Sequence, residues 1–181
     1  MERYGGGQIV ISDYDAAWPT MFETERSRIQ RVLGSTASTI EHVGSTAVPG
    51  LPAKPIIDML VGVANLESAR PICIAGLTGL GYTHMAAYEA WLPGEMLFRK
   101  AAADGRWTHH VHVTERVGPR WEEFVLTRDY LRRDPAAARE YADLKKALAT
   151  RFGDDIQGFR EAKRPFLEKL MVRARHDEAA G

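Results

Sequence analysis

The sequence predicts an α+β fold, with a mixed or antiparallel sheet and a helical C-terminal subdomain. Short apolar runs bounded by Gly, Pro, Asn and Asp recur up to Thr114 at strand lengths, with two helical stretches among them. From Arg120 onward apolar residues return only at helical spacing. No internal repeat, low-complexity tract or linker separates the two regions. The 181 residues are therefore expected to form a single domain, 1–181, with an α+β core over 1–118 and C-terminal helices over 119–181.

After a glycine-rich leader, residues 1–7, Gln8 to Ser12 reads as a short strand and Asp13-Tyr14-Asp15 as a turn. Trp18, Met21, Phe22, Ile29, Val32 and Leu33 share one side of a helix that Gly34 ends. Thr39 to Val43 and Pro55 to Val63 are strands, and Asn65 caps a helix that runs to Leu80. Tyr82 to Tyr88 and Met96 to Ala101 read as strands on either side of a loop holding Pro93-Gly94. Ala102-Ala103-Asp104-Gly105 then turns into a strand over Thr108 to Thr114. Side chains alternate across a strand, so His110 and His112 share one face while His109, Val111 and Val113 share the other.

Trp121, Phe124, Val125, Tyr130 and Leu131 mark the first C-terminal helix. Ala137, Tyr141, Leu144 and Leu148 mark a second, which starts after Asp134-Pro135. A third carries Ile156, Phe159, Phe166, Leu167, Leu170 and Met171, with Pro165 kinking it or opening a new helix. Fraying is expected from Arg173 onward.

Lys plus Arg number 24, as do Asp plus Glu, so the net charge offers no basic surface for nucleic acid or membrane. Any anion site must be local. The single cysteine, Cys73, lies in an apolar run and is expected to be a buried, inert thiol. Neither an apolar signal segment nor a membrane-length span is present, and the expected location is the cytoplasm.

The stretch from Ile40 to Val63 concentrates the chemistry. Two apolar strands are joined by a connector rich in Gly, Pro, Ser and Thr, with Gly44 and Ser45 at its start, Lys54 near its end and Asp58 on the second strand. A Gly-Ser turn leaving a strand can present backbone N–H groups to an anion, and Lys54 adds a point charge. The prolines stiffen the connector before any ligand arrives. Asp58 and Glu41 are carboxylates within apolar runs and each needs a partner. A salt bridge to Lys54 or an arginine, a histidine, a metal ion and a substrate all satisfy that need. His110 and His112 are imidazoles at metal-ligand spacing, and convergence with Asp58 and Glu41 would create a mixed nitrogen and oxygen set better suited to Mn²⁺ or Zn²⁺ than to Mg²⁺. Arg99, at the end of its strand, is a further candidate for an anion.

Gly44-Ser45 followed by a carboxylate on the next strand resembles the signature of the DNA polymerase β type nucleotidyltransferases. Asp58 matches the first acidic position of that signature, and Leu60 stands where its second acid would be. A wider resemblance covers nearly the whole chain. His42 to Leu51, Ala53 to Asp58, His110 to Val113, Arg128 to Arg132 and Glu140 to Lys145 are similar, in order, to motifs of the GrpB family.

This resemblance implies a nucleotidyltransferase-like mixed sheet flanked by helices. It also implies a nucleotide or other phosphorylated or carboxylated small molecule as ligand. ATP or another nucleoside triphosphate and a divalent metal (Mg, Mn or Zn) are the expected cofactors. Gly44, Ser45, Lys54 and Arg99 would hold the anion, while Asp58, Glu41 and His112 would act in catalysis and, with His110, hold the metal. The expected reaction is nucleotidyl transfer to a small acceptor, or activation of a carboxylate for ligation. A noncatalytic anion- or partner-binding module on the same fold is the alternative, with Leu60 in its favour.

Overall fold

The computed structural model describes residues 8–180, so the glycine-rich leader (1–7) and Gly181 lie outside the described residues. Helix α1 (Trp18–Leu33) has Pro19 in its first turn and ends at Gly34, whose φ of 54° suits glycine. Its buried side holds Trp18, Phe22, Ile29 and Leu33 as predicted. Met21 and Val32 are more than a third exposed, and Glu25 occupies the buried position instead.

A carboxylate there needs compensation. Glu25 accepts from Lys100 Nζ at 2.8 Å, Tyr82 Oη at 3.0 Å and Arg28 Nη1 at 3.1 Å. Burial alone would raise its pKa, but Lys100 and Tyr82 outweigh that and hold it below 4.5. A carboxyl depressed in the folded state stabilises at pH values above 4.5, and that contribution is lost as pH falls. Glu25→Gln is expected to cost about 1.5–3 kcal/mol near neutral pH. The cost should shrink in acid, and urea unfolding at pH 7 and pH 3 checks both.

Strands β1 (Thr39–Val43), β2 (Ile57–Val63), β3 (Thr83–His84), β4 (Glu95–Ala101) and β5 (Trp107–Glu115) form one sheet in the order β1-β2-β5-β4-β3. The β2·β5 pair is parallel and the other pairs are antiparallel, so the sheet is mixed. Helix α2 (Leu66–Gly79) starts at Asn65, whose side chain accepts from the Ser68 N–H at 2.9 Å. With α1 it covers the face carrying Ile57, Met59, Val61, Val111, Val113 and Phe98, all fully buried. Cys73 is buried in that layer, and burial pushes its thiol up to about 11, away from reactivity.

The opposite face of the sheet carries Val43, Asp58, Leu60, His110, His112 and Arg99, placed there by register. Helix α3 (Pro119–Arg133) covers part of it, packing Trp121 on Val43 and Leu60. Helix α4 (Pro135–Phe152) is capped by Asp134, which accepts from the N–H groups of Ala136 and Ala137. Helix α5 (Ile156–Ala180) packs beside α3 and α4 around Leu126, Tyr130, Tyr141 and Leu170. Among the described residues no helix is long and apolar enough to cross a membrane.

Four expectations are corrected. Gln8 to Ser12 is no sheet strand: Ile9 gives its N–H to Gly153 and packs on Leu148 and Phe159, and Ser12 makes only an isolated bridge to Ala53. The strand predicted from Tyr82 shrinks to Thr83–His84, because Ala86–Tyr88 folds into a 3-10 turn that buries the Tyr88 ring. Of the two readings of Pro165, the opening of a new helix is overturned: the residue lies inside α5, with Phe159 packed before it and Phe166 and Leu170 packed after it. The helix continues to Ala180, past the expected fraying, with Ala174 fully buried as its anchor.

Candidate functional site

Asp58 is the second residue of β2, and its neighbour across the parallel pair is His110. The carboxylate Oδ1 lies 3.1 Å from His110 Nδ1 and 3.8 Å from His112 Nε2. One ligand atom from each of the three residues can be chosen so that all lie within 4.8 Å of one another. Each side chain remains partly open, with Asp58 at 27%, His110 at 16% and His112 at 14% exposure. The period of two on β5 and the register with β2 create this cluster.

His112 is held from behind. Its Nδ1 lies 2.5 Å from Oε1 of Glu95, the first residue of β4, and Arg120 from α3 donates to the other oxygen through Nε at 3.0 Å and Nη2 at 2.5 Å. The Glu95 side chain is wholly buried. This bond turns Nε2 of His112 toward Asp58. Burial would lower the His112 pKa, but the charge of Glu95 and the bonds to Asp58 and Glu95 push it up to about 9. Burial would raise Asp58, yet bonds and charge from His110 and His112 hold its carboxyl well below the usual range. For His110 burial prevails and keeps the ring below its ordinary value.

Gly44 follows β1, where Val43 pairs with Asp58, so the chain passes directly over the carboxylate. A Cβ at Gly44 would overlap Asp58 Oδ2 and lie 3.0 Å from Asp58 Cβ. Its φ of 71° and ψ of −171° are also reserved for glycine. Ser45 opens a 3-10 turn and meets the hydroxyl of buried Tyr141. The C-terminal helices pin the connector: Arg132 Nε donates to the Ala47 carbonyl at 2.9 Å and Lys145 Nζ donates to that of Pro52. Val48 and Leu51 are buried among Tyr130, Tyr141 and Leu170. These contacts hold the connector from outside, in addition to its prolines.

Cations gather across from the carboxylate. Lys54 and Lys163 both place Nζ over the Phe159 ring, at 5.7 and 4.7 Å from its centroid. Arg99 and Arg160 both lie over Tyr88, at 5.0 and 5.9 Å. Lys54 is within electrostatic reach of Asp58, Arg160 and Arg99, and Lys163 of Lys54, Asp58 and Arg160. Burial, with Lys54 beside it, lowers Lys163 to about 8, and burial lowers Lys145 to about 7.

The structure therefore unites Asp58, His110 and His112, and sets Gly44, Ser45, Lys54 and Arg99 around them. Glu41 stands apart from them. Its Oε2 accepts from Arg128 Nη1 at 2.7 Å, and it lines a separate hollow of about 400 Å³ with His42, Arg26 and Arg132. Although Glu41 shares the sheet face of Asp58, β1 is an edge strand and Glu41 pairs with Leu60, away from the histidines. Arg128 correspondingly serves Glu41, Asp129 and the His42 carbonyl.

Glu95, Arg160 and Lys163 were not predicted as site residues. An acid heading the apolar run Met96-Leu97-Phe98 is a legible clue to Glu95, because a carboxylate there requires a buried partner. Arg160 and Lys163 stand at helical spacing beside Phe159, a pattern that surface helices also show.

Residues 8–173 match the GrpB protein family. The chain is 32% identical over 167 residues to the glutamate-rich protein GrpB of Alkalihalophilus pseudofirmus, covering 91% of this chain and 95% of that protein. The crystal structure of the conserved protein GrpB from Enterococcus faecalis superposes with a TM-score of 0.84 at 34% identity, over 93% of this chain and 99% of that one. A dephospho-CoA kinase of Mycolicibacterium paratuberculosis is 28% identical over 184 residues, covering 88% of this chain and 44% of that protein.

Proposed function

The chain belongs to the GrpB family, and from the site it carries we propose a nucleotidyltransferase-like enzyme that acts on a phosphorylated or carboxylated small molecule with a divalent metal ion. The observation that carries this reading is the meeting of Asp58, His110 and His112 opposite Lys54 and Lys163.

Asp58, His110 and His112 would hold the ion. One carboxylate and two imidazoles suit Zn²⁺ or Mn²⁺ better than Mg²⁺, and the Glu95 bond to His112 supplies the orienting partner such ligands use. Three protein donors leave coordination positions for substrate or water. A metal bound there would polarise a phosphoryl oxygen or activate a bound water.

The chain's own residues do the rest. Lys54, Lys163 and Arg99 attract and orient the anion, and the Gly44-Ser45 turn lets its backbone approach the carboxylate. The reaction would be transfer of a nucleotidyl group from ATP or another triphosphate to a small acceptor, or activation of a carboxylate by the same step. The dephospho-CoA kinase match agrees with phosphorylated small-molecule chemistry, although it spans under half of that protein.

One observation favours a noncatalytic binding module. Leu60, at the second acidic position, is fully buried against Val43 and Trp121, so this strand offers one metal-binding carboxylate. Calorimetry separates the readings. One Mn²⁺ or Zn²⁺ ion per chain is expected, with affinity falling at least 10-fold in His110→Ala and ATP binding strengthened by the ion. Absence of metal binding in the folded wild type overturns the metal assignment.

A further inference from the structure

Another hollow, of about 400 Å³, opens where β5 ends and β4 begins, and none of Asp58, His110 and His112 lines it. The first turns of α2 and α3 form its sides, and Leu66, Leu92 and Pro93 give it an apolar part. Register sets Thr114 opposite Glu95 on the same sheet face, and Thr114 lines the hollow at 1% exposure. Its hydroxyl has no hydrogen-bond partner among the described residues. A buried hydroxyl left unpaired costs stability, so a group that completes it has something to gain.

The charges around it are unequal. Glu67, Glu89, Glu95 and Glu115 line the hollow with two arginines, Arg70 and Arg120. Every nitrogen of both guanidiniums already meets a carboxylate: Arg70 bonds to Glu67 and Glu89, and Arg120 to Glu95 and Glu123. An anion would therefore find no free cation. Glu115 makes no ion pair among the described residues; its Oε1 accepts from the Leu66 N–H at 3.1 Å and from Asn65 at 3.4 Å. A metal ion does not fit the acidic wall either. Among the described residues, only Asp58, His110 and His112 form a set of such groups close enough to share an ion. We infer that this hollow binds a small organic cation, whose ammonium or guanidinium N–H donates to the Thr114 hydroxyl, with Glu115 as its counter-charge. The hydrocarbon part of the ligand lies on Leu66, Leu92 and Pro93. Thr114 supplies an acceptor that a cation's N–H can use, and the hydroxyl keeps its own proton free for water or ligand. The site is distinct from the Asp58 cluster and stands whether or not that cluster holds a metal.

The test is an NMR titration of the isotope-labelled full chain with butylammonium, butyrate and butanol, which share a hydrocarbon part and differ in head group. Butylammonium is expected to shift the backbone amides of Thr114, Glu115 and Arg120 and to bind about 10-fold more tightly than the other two. Thr114→Val and Glu115→Gln should each lower that affinity by about 10-fold. Thr114→Val keeps the shape of the side chain and removes an unpaired hydroxyl, so its urea midpoint should equal or exceed that of the wild type. A hydroxyl with a structural role would give the reverse. Glu115→Gln retains an acceptor for the Leu66 N–H, and so keeps the start of α2. No binding of butylammonium, equal binding of butyrate or butanol, unchanged affinity in either variant, or a lowered midpoint in Thr114→Val overturns the proposal. Since the titration contains no metal, its failure leaves the metal reading standing.

Discussion

Glu95→Ala is expected to lower the unfolding free energy by about 3–5 kcal/mol, the range for breaking a buried charge network from one side. The wholly buried Glu95 carboxylate is bonded to His112 and doubly to Arg120. Truncation leaves an imidazole and a guanidinium without their shared acceptor, and neither reaches bulk water freely, at 14% and 26% exposure. Glu123 also pairs with Arg120 but is half exposed, and Glu123→Ala should cost no more than about 0–1 kcal/mol, as surface pairs do. Urea unfolding of the two variants provides the comparison, and a Glu95→Ala cost below that of Glu123→Ala would sink the account. The same variant tests orientation. Without Glu95 the bond that turns Nε2 of His112 toward Asp58 is lost, so affinity for Mn²⁺ or Zn²⁺ should fall about 10- to 100-fold. Glu95→Gln, which retains a hydrogen-bond acceptor, should recover part of that loss.

Gly44→Ala is expected to disable the site while Gly50→Ala spares it. Both glycines have positive φ, 71° and 77°, so both substitutions strain the backbone, at about 1–3 kcal/mol each. Only at Gly44 does the added methyl meet anything: it would overlap Asp58 Oδ2, whereas at Gly50 nothing lies within 4 Å. Asp58 must then move off the bond that it makes with His110. Metal titration of both variants should show affinity lost in Gly44→Ala and retained in Gly50→Ala. Equal behaviour would show that the glycine serves only the turn.

Much of the fold was legible because local patterns agreed with the tertiary result. Trp18–Leu33 and Thr39–Val43 have the predicted bounds, since Gly34 and the β-branched run carry their own stop and start. The segment after Tyr82 was misread because its residues suit a strand, yet Thr83 and His84 alone pair in register with β4, and the Met85 N–H adds a last bond to the Leu97 carbonyl before the chain turns away. Ile9 and Ile11 likewise have strand composition, but the C-terminal helices take that segment before a sheet edge does. In both cases pairing partners, which no local window contains, decided the outcome.

The same division runs through the site. By itself the sequence determined which groups have chemistry to offer: Gly44, Ser45, Lys54, Asp58 and the alternating His110 and His112, whose shared face follows from the period of a strand. Tertiary structure decided which of them meet. Parallel register between β2 and β5 brings Asp58 to His110, whereas the edge position of β1 gives Glu41 to Arg128. Packing of α5 against the connector and the turn at Tyr88 sets Lys163 beside Lys54 on the Phe159 ring and Arg160 over Tyr88, where the helix pattern showed only ordinary charges. Convergence is a property of strand order and helix packing, which act across distances in the chain that residue spacing does not encode.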